Sequence, residues 1–183
     1  YFFFKDKMCH IRNTYVATHR FKSVASRNYC MIVLAGESGL RADELLNIEI
    51  TDLFFESKKL QTRFAKGTRG SGKRSRITLF PPLARDTVNY YLKEVRPGLC
   101  KEDSAYLFPS QNGKALTYSG IHNALSEIVS TVKKNGFPIL PHMGWHWFRR
   151  IFATRFIERF PNQLSTLITL LGHTSPNTVH RYI

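Results

Sequence analysis

Acidic side chains are scarce in this chain. Thirteen Asp and Glu stand against 27 Lys and Arg, a formal net charge of +14 over 183 residues. An imbalance that large favours a polyanionic partner, nucleic acid before an anionic membrane. Long apolar runs are also missing. The longest, Tyr29 to Ala35, is far too short to span a bilayer. The apolar opening Tyr1-Phe-Phe-Phe4 runs straight into Lys5, Asp6 and Lys7, which is not the pattern of a signal peptide. Cysteine is sparse: Cys9, Cys30 and Cys100 are an odd number without metal-type spacing, so a reduced intracellular setting is expected. No cluster of His, Cys and acidic residues has zinc spacing, so no metal site is expected. Internal repeats and low-complexity runs are absent as well.

What remains reads as one globular domain, with 43% hydrophobic residues and enough length to bury a core. Residues 1–21 have weak periodicity and are read as a lead-in, the remnant of a linker. Residues 22–36 read as a helix with a buried second half, broken at Ser38-Gly39, and Leu40 to Asn47 as a second helix carrying Asp43 and Glu44 in its first turns. Lys59–Phe64 and Arg76–Phe80 read as two strands of a hairpin whose tip, 66–74, is rich in glycine and positive charge. Tyr106-Leu-Phe108 is the candidate third strand. Further helices are expected over Leu83–Val95, Thr117–Asn135, about His142–Phe160, and after Pro161-Asn162, where Leu164, Leu167, Ile168 and Leu171 form a core stripe. The fold class is therefore mainly α with a small antiparallel three-stranded sheet.

The long helix holds a chemical anomaly. At about 100° per residue, Trp145, Phe152, Phe156 and Phe160 make an apolar arc with Arg149 in its middle and His146 at its edge, while Arg150, Arg155 and Glu158 fall on the far face. A guanidinium among phenylalanines is costly unless it meets an anion or good acceptors. It is either one half of a buried salt bridge or a phosphate clamp, for which its fork is well shaped. Arg41 and Glu44, three apart at a helix start, read alone as an ordinary pair. In Leu171-Gly-His-Thr-Ser-Pro176, Gly172 ends one helix and Ser175-Pro176 starts another, which pins His173 in a tight turn.

Together these segments resemble the catalytic domain of tyrosine recombinases, the phage-integrase and Xer-like enzymes, over roughly Lys22 to Tyr182. Ser38-Gly-Leu-Arg-Ala-Asp-Glu-Leu45 resembles the first arginine box, Phe64-Ala-Lys-Gly67 the hairpin lysine motif, and His146-Trp-Phe-Arg149 the His-x-x-Arg box. Leu170-Leu-Gly-His-Thr-Ser175 resembles the second histidine box, and Thr178-Val-His-Arg-Tyr182 ends where the family places its nucleophile. Two departures stand out. The hairpin is long and glycine-rich, which leaves Lys73 as a competitor of Lys66, and Pro141-His142 mimics the His-x-x-Arg box but meets Trp145 where the arginine belongs.

The resemblance implies metal-independent DNA strand cleavage and rejoining through a 3′-phosphotyrosine, with no cofactor. It implies catalytic roles for Arg41, Lys66, His146, Arg149, His173 and Tyr182, support from Glu44, and DNA contacts at Arg69, Lys73, Arg74 and Arg150. The implied partners are a double-stranded recombination site and further protomers of the same protein, tetrameric at full length and monomeric as a fragment. No membrane partner is implied. The implied setting is the cytoplasm of a bacterial, archaeal or phage-infected cell, on the nucleoid. On this reading residues 22–183 are the catalytic domain, without the N-terminal DNA-binding domain and C-terminal tail of the family. Two other readings compete: a type IB topoisomerase, and a non-catalytic regulator using 161–182 as a helix-turn-helix.

Overall fold

The computed structural model describes residues 2–65, 74–100, 103–136 and 143–172. The first helix, α1 (Phe2–Ile11), continues in wider turns to Val16, and α2 (Lys22–Ser38) follows. Next come α3 (Ala42–Asn47), β1 (Leu53–Phe54), β2 (Lys59–Ala65), β3 (Arg74–Leu79), α4 (Pro82–Tyr90), α5 (Tyr118–Lys134), α6 (Trp145–Arg159) and α7 (Leu164–Leu171). The mainly helical class with one small antiparallel sheet is the observed one.

Helix α2 is the axis of the domain. Every residue from Asn28 to Ser38 is buried, as expected of a helix covered on all sides. Helices α4, α5 and α6 pack around it. It ends at Gly39, whose φ of +65° is the left-handed conformation that glycine adopts without penalty. A Cβ there would also meet the Phe152 ring at 2.5 Å. Gly39 is thus required twice, once by its backbone and once by the approach of α6.

The stretch read as a lead-in is helical, and it contributes Met8, Ile11 and Tyr15 to the main core. The Tyr15 hydroxyl donates to Glu127 of α5 at 2.8 Å and accepts from Asn28 of α2 at 2.9 Å. His19 meets the other Glu127 oxygen at 2.7 Å. A second, smaller core lies between α6 and α7, built from Phe152, Ala153, Phe156, Leu167 and Leu171. The indole N–H of Trp145 donates to the Ile121 carbonyl at 3.2 Å, which ties the start of α6 to α5.

Two details differ from the sequence reading. The third strand is β1, on the outer side of β2, in the order β1-β2-β3. Tyr106–Phe108 instead meets the chain after α3 in a single bridge, Glu49 to Tyr106, because the Ile48 carbonyl and the Ile50 amide take up its hydrogen bonds. Arg155 is the other difference. It is not a plain surface residue: it pairs at 2.8 Å with Glu37, whose carboxylate lies wholly buried on α2.

Strand β3 also inverts the usual alternation. In β3 the apolar Ile77 and Leu79 face outward, 53% and 37% exposed, while Arg76 and Thr78 face in. The inward face is polar but satisfied. The Thr78 hydroxyl donates to the Ser38 carbonyl at 2.8 Å, and Thr62 on β2 pairs across from Arg76. Thus the end of α2 is hydrogen-bonded to the sheet.

Candidate active site

Three helix ends converge on one buried carboxylate. Gly39 closes α2, Arg41 opens α3, and Gly172, at φ +61°, closes α7. Glu44 lies among them, 1% exposed. Its Oε2 accepts the backbone N–H of Arg41 at 2.7 Å, the reach-back of an N3 carboxylate in a capping box, and its Oε1 meets the Arg41 guanidinium at 3.2 Å. Arg41 keeps 34% of its side chain exposed, so its charge faces solvent from a fixed base.

Arg149 comes to the same place from α6, where it is fully buried. One guanidinium nitrogen donates to the Gly39 carbonyl at 2.8 Å and stands 3.9 Å from Glu44 Oε2. The other terminal nitrogen donates to the Leu171 carbonyl at the end of α7. The expected resolution of the anomaly, a carboxylate or strong acceptors, is met by both. The negative end of a helix is a suitable neighbour for a guanidinium.

The sequence reading missed Arg76. From β3 its Nε and one terminal nitrogen hold the two Glu44 oxygens at 3.0 and 2.7 Å, a bidentate fork. It also donates to the Gly39 carbonyl at 3.2 Å and to the Leu170 carbonyl. Read along the strand it is one cation in a basic hairpin. The available signal was its register: it lies two residues before Thr78 and four before Phe80, on the same side of the strand.

Burial alone would push the Glu44 carboxyl pKa up. The hydrogen bond and charge of Arg76, the Arg41 amide and the charge of Arg149 outweigh it, and the net pKa lies below the ordinary carboxylate value. Glu44 is therefore an anion that organises three cations. His146, one turn before Arg149 on α6, is exposed at the rim of this cluster. Partial burial of its ring and the charges of Arg149, Arg150 and Arg41 hold its pKa below the ordinary 6.5. A neutral imidazole beside three guanidiniums suits proton acceptance.

Arg41, Glu44, His146 and Arg149 are thus brought together. Arg150 is exposed on the outer side of α6. The backbone of Arg74 opens β3. Lys66, Arg69, Lys73, His173 and Tyr182 lie outside the described residues. Among the described residues no group of three or more His, Cys, Asp or Glu could hold a metal ion. No helix among them is long and apolar enough to cross a membrane.

A profile described as the phage integrase family matches residues 7–183. The chain belongs to this family. It is 31% identical over 156 residues to the tyrosine recombinase XerC of Psychromonas ingrahamii, a match covering 85% of this chain and 48% of that protein. It is 30% identical over 164 residues to the tyrosine recombinase XerD of Lacticaseibacillus casei, covering 88% and 51%. The integrase-family chain spans about half the length of these curated relatives. Its fold is that of the XerH site-specific recombinase bound to palindromic difH substrate in a post-cleavage complex. There the TM-score is 0.71 and the identity 22%, over 97% of this chain and 47% of that one. The Tn1549 transposon integrase in complex with circular intermediate DNA gives a TM-score of 0.74 at 19% identity, over 97% and 60%. At these identities the structures establish the fold. Of the boxes that suggested the family, the first arginine box, the His-x-x-Arg box and Leu170-Leu171 of the second histidine box build the Glu44 cluster.

Proposed function

We propose that this integrase-family domain is the catalytic part of a site-specific DNA recombinase, cutting and rejoining strands through a tyrosyl intermediate. The observation that carries the reading is the convergence of Arg41 and Arg149 on one buried carboxylate, with His146 at the rim of the cluster. Arg41, its side chain 34% exposed, and the charge of the buried Arg149 suit the non-bridging oxygens of a phosphodiester, whose charge grows as the phosphorus becomes five-coordinate. Preorganised donors of this kind are worth most where charge develops in the transition state. XerC, XerD and XerH, to which the chain is similar, are named as recombinases, and the complex of the Tn1549 integrase with circular intermediate DNA supports DNA as the partner.

In this account the phenol oxygen of Tyr182 attacks phosphorus and its proton passes to His146. The P–O5′ bond breaks, and Lys66 or its competitor Lys73 gives a proton to the departing 5′-oxygen. His173 donates a hydrogen bond to a non-bridging oxygen. The product is a 3′-phosphotyrosine, which conserves the phosphodiester energy, so that attack by another 5′-hydroxyl reseals DNA without a nucleotide cofactor. Arg69, Lys73, Arg74 and Arg150 hold phosphates along the duplex. Further protomers assemble on the recombination site.

The test is covalent capture. Incubated in EDTA with a nicked duplex that loses its 5′ fragment on cleavage, the chain forms a protein–DNA adduct and releases a strand with a free 5′-hydroxyl. DNA binding with no adduct on any substrate would favour the helix-turn-helix regulator. Efficient relaxation of supercoiled DNA without site preference would favour the topoisomerase.

A further inference from the structure

Arg76 and Arg149 divide one task between them. They come from different elements, β3 and α6, yet both donate to the Gly39 carbonyl, at 3.2 and 2.8 Å. They take successive carbonyls at the end of α7, Leu170 by Arg76 and Leu171 by Arg149. Those carbonyls are orphans of the last helical turn and carry the negative end of its dipole. Two buried cations satisfy them. Gly172 follows at once, and its backbone lies against the Arg76 stem, where a Cβ would stand 2.7 Å from Arg76 Cδ.

The carboxylate is shared unequally. Both Glu44 oxygens engage the Arg76 fork, at 2.7 and 3.0 Å, whereas Arg149 approaches only to 3.9 Å. All three guanidinium nitrogens of Arg76 are already engaged, by the two Glu44 oxygens and by the Leu170 and Gly39 carbonyls. Arg76 is therefore placed to act on the site through its neighbours. With Arg76 absent, Glu44 would turn its charge on Arg149, and the end of α7 would lose half of its attachment to α2.

We propose that Arg76 is a positioning residue for strand cleavage. It occupies Glu44, which leaves the charge of Arg149 for the scissile phosphate, and it fixes the end of α7 from which the segment carrying His173 departs. This rests on the strand-cleavage reading above. It also makes the hairpin that leads to Lys66 and the turn that leads to His173 one mechanical unit, because a single side chain joins β3, α3 and α7.

The test uses single-turnover cleavage on a nicked duplex that forms the adduct with the unaltered chain, with DNA affinity and thermal midpoint measured beside it. Arg76→Lys keeps a buried cation but not the fork. Its rate at saturating DNA should fall about 100-fold, the usual loss from a small misplacement of catalytic groups, with affinity little changed. A substrate with a neutral methylphosphonate at the cleaved position carries one anionic oxygen fewer and depends less on Arg149. On it the gap between Arg76→Lys and the unaltered chain should narrow, whereas a variant that is merely unstable would lose both substrates equally. Arg76→Met should show the same selective pattern; should it fail to fold, Arg76→Lys decides. Undiminished cleavage by Arg76→Lys, or an equal loss on both substrates, overturns the proposal. Absence of any adduct from the unaltered chain would instead overturn the strand-cleavage reading on which it rests.

Discussion

At the scale of single residues, the site is a problem in charge placement. Three guanidiniums within reach of one another repel, and burying two of them costs several kcal/mol each unless partners are supplied. Glu44 supplies the anion, and the carbonyls of Gly39, Leu170 and Leu171 supply the remaining acceptors. Glu44 is therefore far from the ordinary exposed pair that its spacing from Arg41 suggests, for which a few tenths of a kcal/mol would be typical. The positive surroundings of His146 have a kinetic consequence. Because its pKa lies below 6.5, the base form is dominant at neutral pH and is lost only as the pH falls beneath that value. Cleavage by the unaltered chain should accordingly fall on the acid side, with the midpoint of that limb below pH 6.5. His146→Gln should lower the plateau about 100-fold, within the usual range for a general base. An acid limb centred above the ordinary imidazole value, or one that survives unchanged in His146→Gln, would remove His146 from the role of base.

At the scale of elements, the site depends on where helices stop. The ends of α2 and α7 are set by Gly39 and Gly172, and the start of α3 by Arg41 with Glu44 three residues on. Both glycine stops were legible in the sequence, because a left-handed C-terminal residue has few alternatives to glycine. So was the buried arginine, since a cation at the centre of a phenylalanine arc is visible from helical spacing alone. The role of Arg76 was not legible. Its strand carries apolar residues outward and polar residues inward, the reverse of the alternation a strand reading relies on. The third strand was misplaced for a related reason: two residues, Leu53 and Phe54, make too short a run for period-two patterning to detect. Nor did the weak pattern of residues 1–21 show that Met8, Ile11 and Tyr15 enter the core. Gly39→Ala should be the most damaging small substitution in the fold. Its Cβ would approach the Phe152 ring to 2.5 Å at a φ of +65°. The strained backbone and the overpacking each cost on the order of 1–3 kcal/mol. Urea unfolding checks this, and a loss below 1 kcal/mol would mean that α6 can withdraw from the turn without consequence.

At the scale of the molecule, the excess of 14 positive charges and the arginine cluster belong to one design. On the proposed reading the surface charge draws the chain to a polyanion, and the buried network acts on one phosphate of it. The two parts respond differently to salt. Binding should weaken steeply, with a log–log slope of roughly −0.9 for each phosphate neutralised. The cleavage rate at saturating DNA should change little, because the buried pairs are shielded from the ionic atmosphere. A flat binding plot would separate the charge of the chain from its partner and weaken the assignment of nucleic acid.

The central claim is that Arg41, Glu44, His146 and Arg149 form a platform on which Tyr182 attacks DNA. The most direct measurement compares covalent adduct formation in EDTA by the unaltered chain and by Tyr182→Phe, with DNA affinity measured in parallel. Removing one phenol oxygen should abolish the adduct and leave affinity within about threefold, since a single hydroxyl contributes little to a contact dominated by phosphate charge. An adduct of undiminished yield from Tyr182→Phe would show that another residue is the nucleophile, and would contradict the account.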